Sequence, residues 1–385
     1  MATITDPLAP FSALTRDWFA GTFVEPTSAQ AQAWAAIAGG DNTLVIAPTG
    51  SGKTLAAFLW AIDRLASAEP TPAGEPKPGT RVLYVSPLKA LAVDVERNLS
   101  TPLIGITRVA ERLGSPVPNI SVGVRSGDTS PARRRELINK PPDILITTPE
   151  SLFLMLTSAA RESLTDVTTV IVDEVHAVAG TKRGAHLALS LERLDQLLDA
   201  PAQRIGLSAT VRPPEDVARF LSGAAPTSIV APASGKSWDL AVHVPVPDMA
   251  NLENNTIWPD VEERIVDLIE SHRSSIVFTN SRRLAERLTS RINEIYAERT
   301  GTELPEEKNP KVAGGAPAHV MASGQASGAE PLLAKAHHGS VSKEQRAIVE
   351  DDLKSGRLRA VVATSSLELG IDMGAVDLVI QVEAP

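Results

Sequence analysis

Residues 47–54 have the sequence APTGSGKT, which places two glycines, a lysine and a threonine at the spacing of a phosphate-binding loop. A short apolar stretch precedes these residues, and a helical pattern follows over residues 55–65. In such a loop, backbone N–H groups surround phosphate oxygens at the positive end of a helix. The lysine can then reach the β- and γ-phosphates, and the final threonine can hold Mg²⁺. The residues predicted to bind a nucleoside triphosphate here are Thr49, Gly50, Ser51, Gly52, Lys53 and Thr54.

Two adjacent carboxylates follow an apolar run further along the chain, in the sequence Asp173-Glu174-Val175-His176. Carboxylates at the end of a buried parallel strand are suited to phosphoryl chemistry, with Asp173 holding Mg²⁺ and Glu174 orienting and deprotonating the attacking water. His176 could link this site to neighbouring loops. The candidate catalytic residues are therefore Lys53, Asp173, Glu174 and His176.

Small hydroxyl residues follow two other predicted strands. The triplet Ser208-Ala209-Thr210 could hydrogen-bond the Asp-Glu loop and respond to its state. Residues 364–372 combine hydroxyls that suit phosphate or sugar contacts with Gly370 and Asp372, which suit a tight turn and are added to the predicted nucleotide-binding residues.

Alternating strands and helices are expected to position these residues. Apolar runs that alternate with amphipathic segments predict a parallel sheet with helices on both faces. The predicted strands of the first half are residues 43–47, 81–86, 120–124, 143–147, 169–173 and 204–208. A second α/β pattern follows, with predicted helices over 261–271, 281–296 and 343–354 and predicted strands over 275–279, 358–363 and 377–381.

Composition sets the domain boundaries and excludes some classes of protein. The 385 residues are enough for two domains, and we place these at 1–225 and 260–385, with a linker at 226–259 and a mobile insertion at about 301–331. The chain has no cysteine, which excludes disulfides and thiolate metal sites. No segment is apolar enough for a membrane span, so a cytoplasmic location without a membrane partner is expected. The net charge of −9 argues against simple electrostatic wrapping of nucleic acid.

Taken in order, these segments resemble the motifs of superfamily 2 helicases. The resemblance implies an α/β fold of two tandem RecA-like domains, with ATP and Mg²⁺ as cofactors and Gln30 in the region that contacts adenine. It extends to residues 86–91, 125–129, 147–152 and 276–282, which resemble the motifs that hold a nucleic-acid strand. The residues that this resemblance implies as nucleic-acid contacts are Ser86, Lys89, Arg125, Thr148, Asn280, Ser281, Thr364 and Ser365.

Three further segments are similar to the large helicase-related (Lhr) group. They are residues 18–27, the DEVH sequence leading to Lys182-Arg183-Gly184, and residues 337–342. The resemblance implies ATP-driven 3′→5′ movement along single-stranded DNA in DNA repair, with RNA or a DNA–RNA hybrid as other possible strands. Family members continue to an arginine-rich motif VI, before which this chain ends. We therefore expect the second domain to be incomplete, the chain to be truncated, its ATP hydrolysis to be weak and duplex unwinding to be absent.

Three other readings of the sequence remain. An RNA helicase of the DEAD-box kind is disfavoured by Asp-Glu-Val-His in place of Asp-Glu-Ala-Asp. A non-catalytic, ATP-gated nucleic-acid-binding fragment is compatible with the missing motif VI. A metal-dependent hydrolase that uses His337 and His338 is disfavoured, because adjacent side chains point apart and ligand-spaced partners are missing.

Overall fold

The structure, a computed structural model, describes two compact units, Met1–Lys236 and Ser237–Pro385. The described residues are 6–48, 50–68, 79–87, 89–233, 239–246, 248–250, 252, 256–301, 333–364, 367 and 376–383. Among them no helix combines the length and the apolar character that a membrane crossing requires.

The first unit is built on a seven-stranded sheet in which every pair of neighbours is parallel. The strand order is β3-β4-β2-β5-β6-β1-β7. The strands are β1 (Asn42–Ile46), β2 (Val82–Val85), β3 (Val122–Arg125), β4 (Ile144–Thr147), β5 (Thr169–Val172), β6 (Gln203–Ser208) and β7 (Thr227–Val230).

Helices cover both faces of this sheet. Successive strand residues belong to two different cores, with Leu44 and Leu83 on one face and Val45 and Tyr84 on the other. Burial on both faces explains why the central strands are apolar throughout rather than alternating. The helices are α1 (Ala13–Thr22), α2 (Ser28–Ala38), α3 (Lys53–Ala66), α4 (Lys89–Leu113), α5 (Pro131–Asn139), α6 (Pro149–Leu156), α7 (Val175–Val178), α8 (Lys182–Asp195) and α9 (Pro214–Ser222), with a 3₁₀ helix at Ala159–Leu164.

The second unit contains a four-stranded parallel sheet with the order β11-β8-β10-β9. Its strands are β8 (Ser275–Phe278), β9 (Ala334–His337), β10 (Ala360–Ala363) and β11 (Leu378–Gln381). The helices described in this unit are α10 (Trp258–Glu270), α11 (Arg282–Thr300) and α12 (Lys343–Lys354).

The predicted fold class, two parallel α/β domains, is confirmed, but two strands were not expected. Strand β7 lies inside the range predicted as a linker, 226–259, and pairs with β1 in the first sheet. The sequence analysis missed β7 because it follows a Pro- and Ala-rich stretch and because only one of its residues, Val230, is buried. Strand β9 was also missed. The predicted insertion at 301–331 lies outside the described residues, apart from Gly301.

Candidate active site

Three neighbouring strands of the first sheet end at the candidate active site. Strands β1, β6 and β5 are adjacent and parallel, so their carboxyl ends lie at one edge of the sheet. The loop of residues 47–52 follows β1, Asp173 follows β5, and β6 ends at Ser208. In open α/β sheets this edge is where ligands bind.

The loop after β1 has the backbone conformation that its glycines allow. Gly50 and Gly52 have φ values of 78° and 77°, and Gly52 is the N-cap residue of α3. The Lys53 amine donates hydrogen bonds to the carbonyl oxygens of Ala47, at 2.5 Å, and Pro48, at 3.2 Å. The Lys53 side chain therefore points toward its own loop. An anion bound there could replace the two carbonyl oxygens as hydrogen-bond acceptors of the amine. Thr49 lies outside the described residues.

Gln30, predicted to contact adenine, lies against this loop. Its side-chain oxygen accepts the Thr27 N–H at 3.0 Å, which completes a capping box at the start of α2. Its amide nitrogen donates to the Gly52 carbonyl at 3.4 Å, and the Thr27 hydroxyl donates to the Ser51 carbonyl at 2.9 Å. The start of α2 is thereby fastened to the loop, while the adenine contact stays a prediction.

Asp173 is buried, and both of its carboxylate oxygens accept hydrogen bonds. The Tyr84 hydroxyl donates to Oδ2, and the Glu174 N–H donates to Oδ1 at 2.9 Å. Burial raises the pKa of Asp173, and the Tyr84 hydrogen bond and the Lys53 charge oppose this rise. Sequence reasoning missed Tyr84, because no local spacing relates it to Asp173.

Glu174 has a left-handed backbone, with φ 44°, which is uncommon for a residue other than glycine. The pKa of Glu174 is raised, first by burial and then by the Asp173 charge, while Lys53 opposes the rise. The pKa of Lys53 is lowered by burial, which the charges of Glu174 and Asp173 oppose. The three groups therefore influence one another electrostatically, as expected of a functional site.

His176 connects the carboxylate loop to the end of β6. Its Nδ1 accepts the Ala209 N–H at 3.2 Å and lies 3.3 Å from the Ser208 hydroxyl and 3.4 Å from a Glu174 carboxylate oxygen. Burial and the Lys53 charge lower the pKa of His176, although the Asp173 charge opposes this. A neutral ring with an unprotonated Nδ1 accepts the Ala209 N–H, and its contact with the Glu174 carboxylate is then not a hydrogen bond. The Ser208 hydroxyl thus lies within hydrogen-bond distance of His176, next to the Asp-Glu pair, while a response of the triplet to the state of that loop stays a prediction.

The residues at this edge fit a nucleotide with a magnesium ion. A Cβ placed on Gly50 would meet no atom within 4 Å, so space is open beside the loop. Within the described ranges no group of three or more His, Cys, Asp or Glu side chains could hold a metal ion alone. Mg²⁺ commonly takes one or two carboxylates together with water and substrate phosphates. Asp173 and Thr54, which lies in the first turn of α3, are suited to that role.

Arg125, a predicted nucleic-acid contact, ends β3 and is buried. Its Nη1 has no hydrogen-bond partner in the part of the chain that the structure describes. Burial lowers its pKa, and the nearby charge of Arg134 lowers it further. Arg134 donates to the carbonyls of Ser126, at 3.3 Å, and Gly127, at 2.8 Å. A buried guanidinium beside a second positive charge is suited to an anion such as a phosphate.

Two other predicted contacts in the first unit are buried at strand ends. Ser86 follows β2, and Thr148 follows β4 and accepts the Ser151 N–H at 3.4 Å as the N-cap of α6. Lys89 begins α4, but its side chain lies outside the described residues.

Arg183 joins two of these segments, and sequence reasoning did not give it a role. Its Nη1 donates to the Pro87 carbonyl at 2.6 Å, while Nε and Nη2 donate to the two carboxylate oxygens of Glu150 at 2.5 and 3.0 Å. The hydrogen bond from Arg183 is the main cause of a lowered pKa of Glu150. A guanidinium matches a carboxylate in this two-point geometry. The partners are too distant in sequence for spacing to reveal the contact.

Comparison with known families decides the class of the protein. The model of the DEAD/DEAH box helicase family matches residues 27–219, and that of the helicase conserved C-terminal domain matches residues 323–385. The chain belongs to the DEAD/DEAH box helicase family. The first match spans half of the chain and includes the whole edge described above.

Individual relatives confirm the resemblance to the Lhr group. The chain is 80% identical to the Lhr helicase/probable uracil glycosylase of Mycolicibacterium smegmatis. The match covers 99% of this chain and 25% of that protein. The chain is also 54% identical to the Lhr helicase/uracil glycosylase of Escherichia coli, and this match covers all of this chain and 26% of that protein. The chain thus spans about a quarter of the length of these relatives.

A solved structure of the Mycobacterium smegmatis helicase Lhr, bound to single-stranded DNA and AMP-PNP, is also similar. Its TM-score is 0.80 at 74% sequence identity, with 99% of this chain and 45% of that chain covered. A DUF1998 helicase MrfA bound to DNA and AMPPNP shares the fold, with a TM-score of 0.72 at 22% identity over 97% of this chain and 46% of that one.

The second helicase unit places its predicted contacts at strand ends too. Asn280 and Ser281 follow β8, and the Ser281 hydroxyl accepts the Leu284 N–H at 3.2 Å as the N-cap of α11. The Thr364 N–H donates to the His337 carbonyl at 3.3 Å. Ser365, Gly370 and Asp372 lie outside the described residues.

The two adjacent histidines of this unit pair with different helices. His337 Nε2 is hydrogen-bonded to a Glu350 carboxylate oxygen on α12 at 3.0 Å. His338 Nε2 lies 2.9 Å from a Glu286 carboxylate oxygen on α11, although the two atoms do not have hydrogen-bond geometry. Each imidazole has its own carboxylate rather than a shared centre. This arrangement gives no support to the metal-dependent hydrolase.

Proposed function

We propose that this chain binds ATP with Mg²⁺ at the carboxyl edge of its first sheet and couples ATP hydrolysis to movement along single-stranded DNA. One observation carries the proposal: Lys53, Asp173 and Glu174 lie at the same sheet edge and perturb one another's pKa values. A lysine from a glycine-rich loop beside two carboxylates is the combination that phosphoryl transfer to water requires.

Each residue at this edge has a distinct part in hydrolysis. The loop N–H groups and the Lys53 amine hold the phosphates, and Lys53 exchanges its two carbonyl partners for phosphate oxygens. Glu174 orients the attacking water and accepts its proton, a role favoured by the raised pKa of its carboxyl group. Asp173 and Thr54 would hold Mg²⁺, which when bound neutralises charge that develops on the phosphates.

His176 provides a route from the nucleotide to the rest of the first unit. Its imidazole lies beside Glu174 and accepts a hydrogen bond from Ala209, after β6. A shift of Glu174 on nucleotide binding or release therefore acts on the loop that follows β6. This contact supports the coupling of hydrolysis to a conformational change.

The strand is proposed to lie along the segments after β2, β3 and β4, where Nη1 of the buried Arg125 has no hydrogen-bond partner among the described residues. Contacts to sugar and phosphate carry no base information, so we expect binding without sequence preference. DNA is favoured by the similar Lhr structure, which holds single-stranded DNA. The 3′→5′ direction and a role in DNA repair follow from the resemblance to the Lhr group and belong to this proposal.

ATP hydrolysis by the 385-residue chain, measured alone and with single-stranded DNA or RNA of the same sequence, tests the proposal. We expect DNA to stimulate hydrolysis more than RNA, since the 2′-OH distinguishes the two strands. Lys53→Ala should abolish nucleotide binding together with hydrolysis. Nucleotide binding that survives Lys53→Ala unchanged would contradict the assignment of the site. Stronger stimulation by RNA would favour the RNA helicase reading instead.

Nucleotide binding is measured separately, so that slow hydrolysis is not mistaken for loss of the site. Single-turnover measurements with the nucleotide in deficit keep the comparison quantitative in that case. Translocation direction is checked by displacement of streptavidin from either end of a biotinylated strand. Displacement from the 3′ end rather than the 5′ end would contradict 3′→5′ movement.

A further inference from the structure

Tyr84 is a fully buried residue of β2, and its hydroxyl group donates a hydrogen bond to a charged side chain. It is 0% exposed, and its hydroxyl donates to Asp173 Oδ2. A buried tyrosine hydroxyl needs a hydrogen-bond partner. Here the partner is the carboxylate that the proposed function assigns to Mg²⁺.

The sheet register explains how the two residues meet. Strands β2 and β5 are parallel neighbours, with Tyr84 opposite Ile171. Asp173 lies two residues beyond Ile171, so it stands on the same face of the sheet as Tyr84. A long aromatic side chain on β2 can therefore reach the carboxylate just past the end of β5.

The ring of Tyr84 is held in place from the helix that begins with Lys53. Phe58 of α3 stacks on it, with ring centroids 4.9 Å apart and an angle of 27° between the ring planes. Phe58 is itself buried. The phosphate-binding helix, the ring of Tyr84 and the Asp173 carboxylate thus form one continuous contact.

We propose that Tyr84 is a positioning residue that fixes the orientation of the Asp173 carboxylate for Mg²⁺. The inference rests on the proposed function of the edge as an ATP–Mg²⁺ site. The Tyr84 hydroxyl donates a hydrogen bond to Oδ2, and the Glu174 N–H donates one to Oδ1. Together these two donors fix the orientation of the carboxylate group. Because a carboxylate oxygen accepts more than one hydrogen bond or metal contact, Oδ1 remains suited to a metal or to its bound water.

The opposite role for Tyr84, as a proton donor or nucleophile, does not fit its surroundings. Burial and the Asp173 charge raise the pKa of the Tyr84 hydroxyl well above its ordinary value. The hydroxyl therefore stays protonated and acts as a hydrogen-bond donor. Groups that hydrogen-bond to metal ligands in this way commonly change metal affinity by about 10–100-fold when they are removed.

The test is a Mg²⁺ titration of fluorescent ATP analogue binding to the full 385-residue chain and to Tyr84→Phe. The phenylalanine ring can keep its contact with Phe58, so the variant loses only the hydroxyl group. We expect Tyr84→Phe to need about tenfold more Mg²⁺ for half-maximal binding, while nucleotide affinity in EDTA stays unchanged. A merely structural role would lower the melting temperature and leave the Mg²⁺ midpoint where it was.

Tyr296→Phe is the matched control, because Tyr84 and Tyr296 are the two tyrosines of the chain. Tyr296 lies in α11 of the second unit and packs against the core of that unit. This variant should leave the Mg²⁺ midpoint unchanged. An equal midpoint in the parent chain and in Tyr84→Phe would overturn the inference. A parent chain without Mg²⁺-dependent nucleotide binding would instead overturn the proposed function.

A second measurement uses the unmutated chain in case Tyr84→Phe does not fold. Biosynthetic labelling with fluorotyrosine gives two ¹⁹F NMR signals, which Tyr296→Phe assigns. Addition of Mg²⁺ to the nucleotide-bound chain should shift the Tyr84 signal and leave that of Tyr296 in place. A Tyr84 signal that does not respond to Mg²⁺ would also overturn the inference.

Discussion

The carboxyl edges of the two sheets carry similar residue types but connect them differently. At the first edge, the Lys53 charge acts on the pKa values of Glu174 and His176, which lie on a different loop. At the second edge, His337 and His338 each pair with a carboxylate of a separate flanking helix. Shared interactions among loops suit chemistry, whereas separate pairs fasten helices to a sheet.

The difference shows that the same fold can hold polar groups for two purposes. In the second unit the buried Glu262 accepts hydrogen bonds from Arg287 and Arg291, which link α10 to α11. In the first unit the buried Asp173 accepts from Tyr84 and from a backbone N–H, and its charge lies near Lys53. A buried carboxylate with arginine partners is compensated in place, whereas Asp173 has no described arginine partner and is suited to receive a metal ion.

Neutralising one carboxylate at each edge tests this comparison with the largest expected effect. Glu174→Gln removes the proposed proton acceptor, so single-turnover ATP hydrolysis should fall by about 10²–10⁴-fold. Nucleotide binding should persist, because Gln keeps the shape of the side chain. The matched change, Glu350→Gln, should cost about 1 kcal/mol of stability and leave hydrolysis much less affected. Comparable losses of hydrolysis in the two variants would break the comparison.

Adding one methyl group to a glycine at each edge gives the next largest effect. Gly52 has φ 77°, and a Cβ there would collide with the amide nitrogen of Gln30. Gly52→Ala should therefore destabilise the chain by about 1–3 kcal/mol and weaken ATP binding. A Cβ on Gly339 would meet the flexible end of Arg282 at 3.3 Å. Gly339→Ala should have little effect, and urea unfolding with a nucleotide titration compares the two variants.

The strands of the first sheet could be predicted because each central one is a run of apolar residues buried on both faces. Strands β1–β6 end within two residues of their predicted bounds. Strand β9, Ala-Lys-Ala-His, carries none of the residues Val, Ile, Thr, Tyr, Phe and Trp that indicate a strand. Its position depends on pairing with β10 and on Asn293, whose side chain bonds both the N–H and the carbonyl of Ala334.

The candidate site was predictable to the same extent, for a related reason. The loop before Lys53 and the Asp173-Glu174 pair are local patterns whose chemistry depends on neighbours in sequence. Tyr84 contacts Asp173, 89 residues away, and Arg183 contacts Pro87 and Glu150, 96 and 33 residues away. Which strands are neighbours in the sheet decides these contacts. The order of the strands in the sheet cannot be read directly from a single sequence. The contacts of Tyr84 and Arg183 therefore became visible only in the structure.

Removing one arginine from each unit should have a smaller effect and separates strand binding from stability. Arg183→Ala frees Glu150 and Pro87, beside segments proposed to hold the strand. An exposed ion pair contributes up to about 1 kcal/mol. If the whole of this energy is lost from strand binding, the dissociation constant for single-stranded DNA should rise about fivefold. Arg183→Lys should recover little, because lysine lacks the two-point geometry.

Arg299→Ala is the matched control for Arg183→Ala. Arg299 pairs with Glu263, Asp267 and Glu270 on α10, at the opposite end of α11 from the predicted contact Ser281. Fluorescence anisotropy should show unchanged DNA binding for Arg299→Ala. Equal weakening by the two variants would mean that general loss of positive charge, rather than the position of Arg183, controls affinity.

The pH dependence of His176 gives the smallest expected effect. Burial and the Lys53 charge hold the pKa of His176 below its ordinary value of about 6.5. The unfolded chain therefore binds this proton at a higher pH than the folded chain does. The stability that depends on neutral His176 is fully present above about pH 6.5 and is lost as the pH falls through the folded pKa.

His176→Asn isolates this contribution, because asparagine offers an acceptor to the Ala209 N–H but does not titrate. Urea unfolding of both proteins from neutral to mildly acidic pH should show a stability difference that moves in favour of His176→Asn as the pH falls. The remaining histidines are common to both proteins, so their effects cancel in the difference. A difference that stays constant with pH would mean that the imidazole is as easily protonated in the folded chain as in the unfolded one. The electrostatic influence on His176 would then no longer support the difference between the two sheet edges.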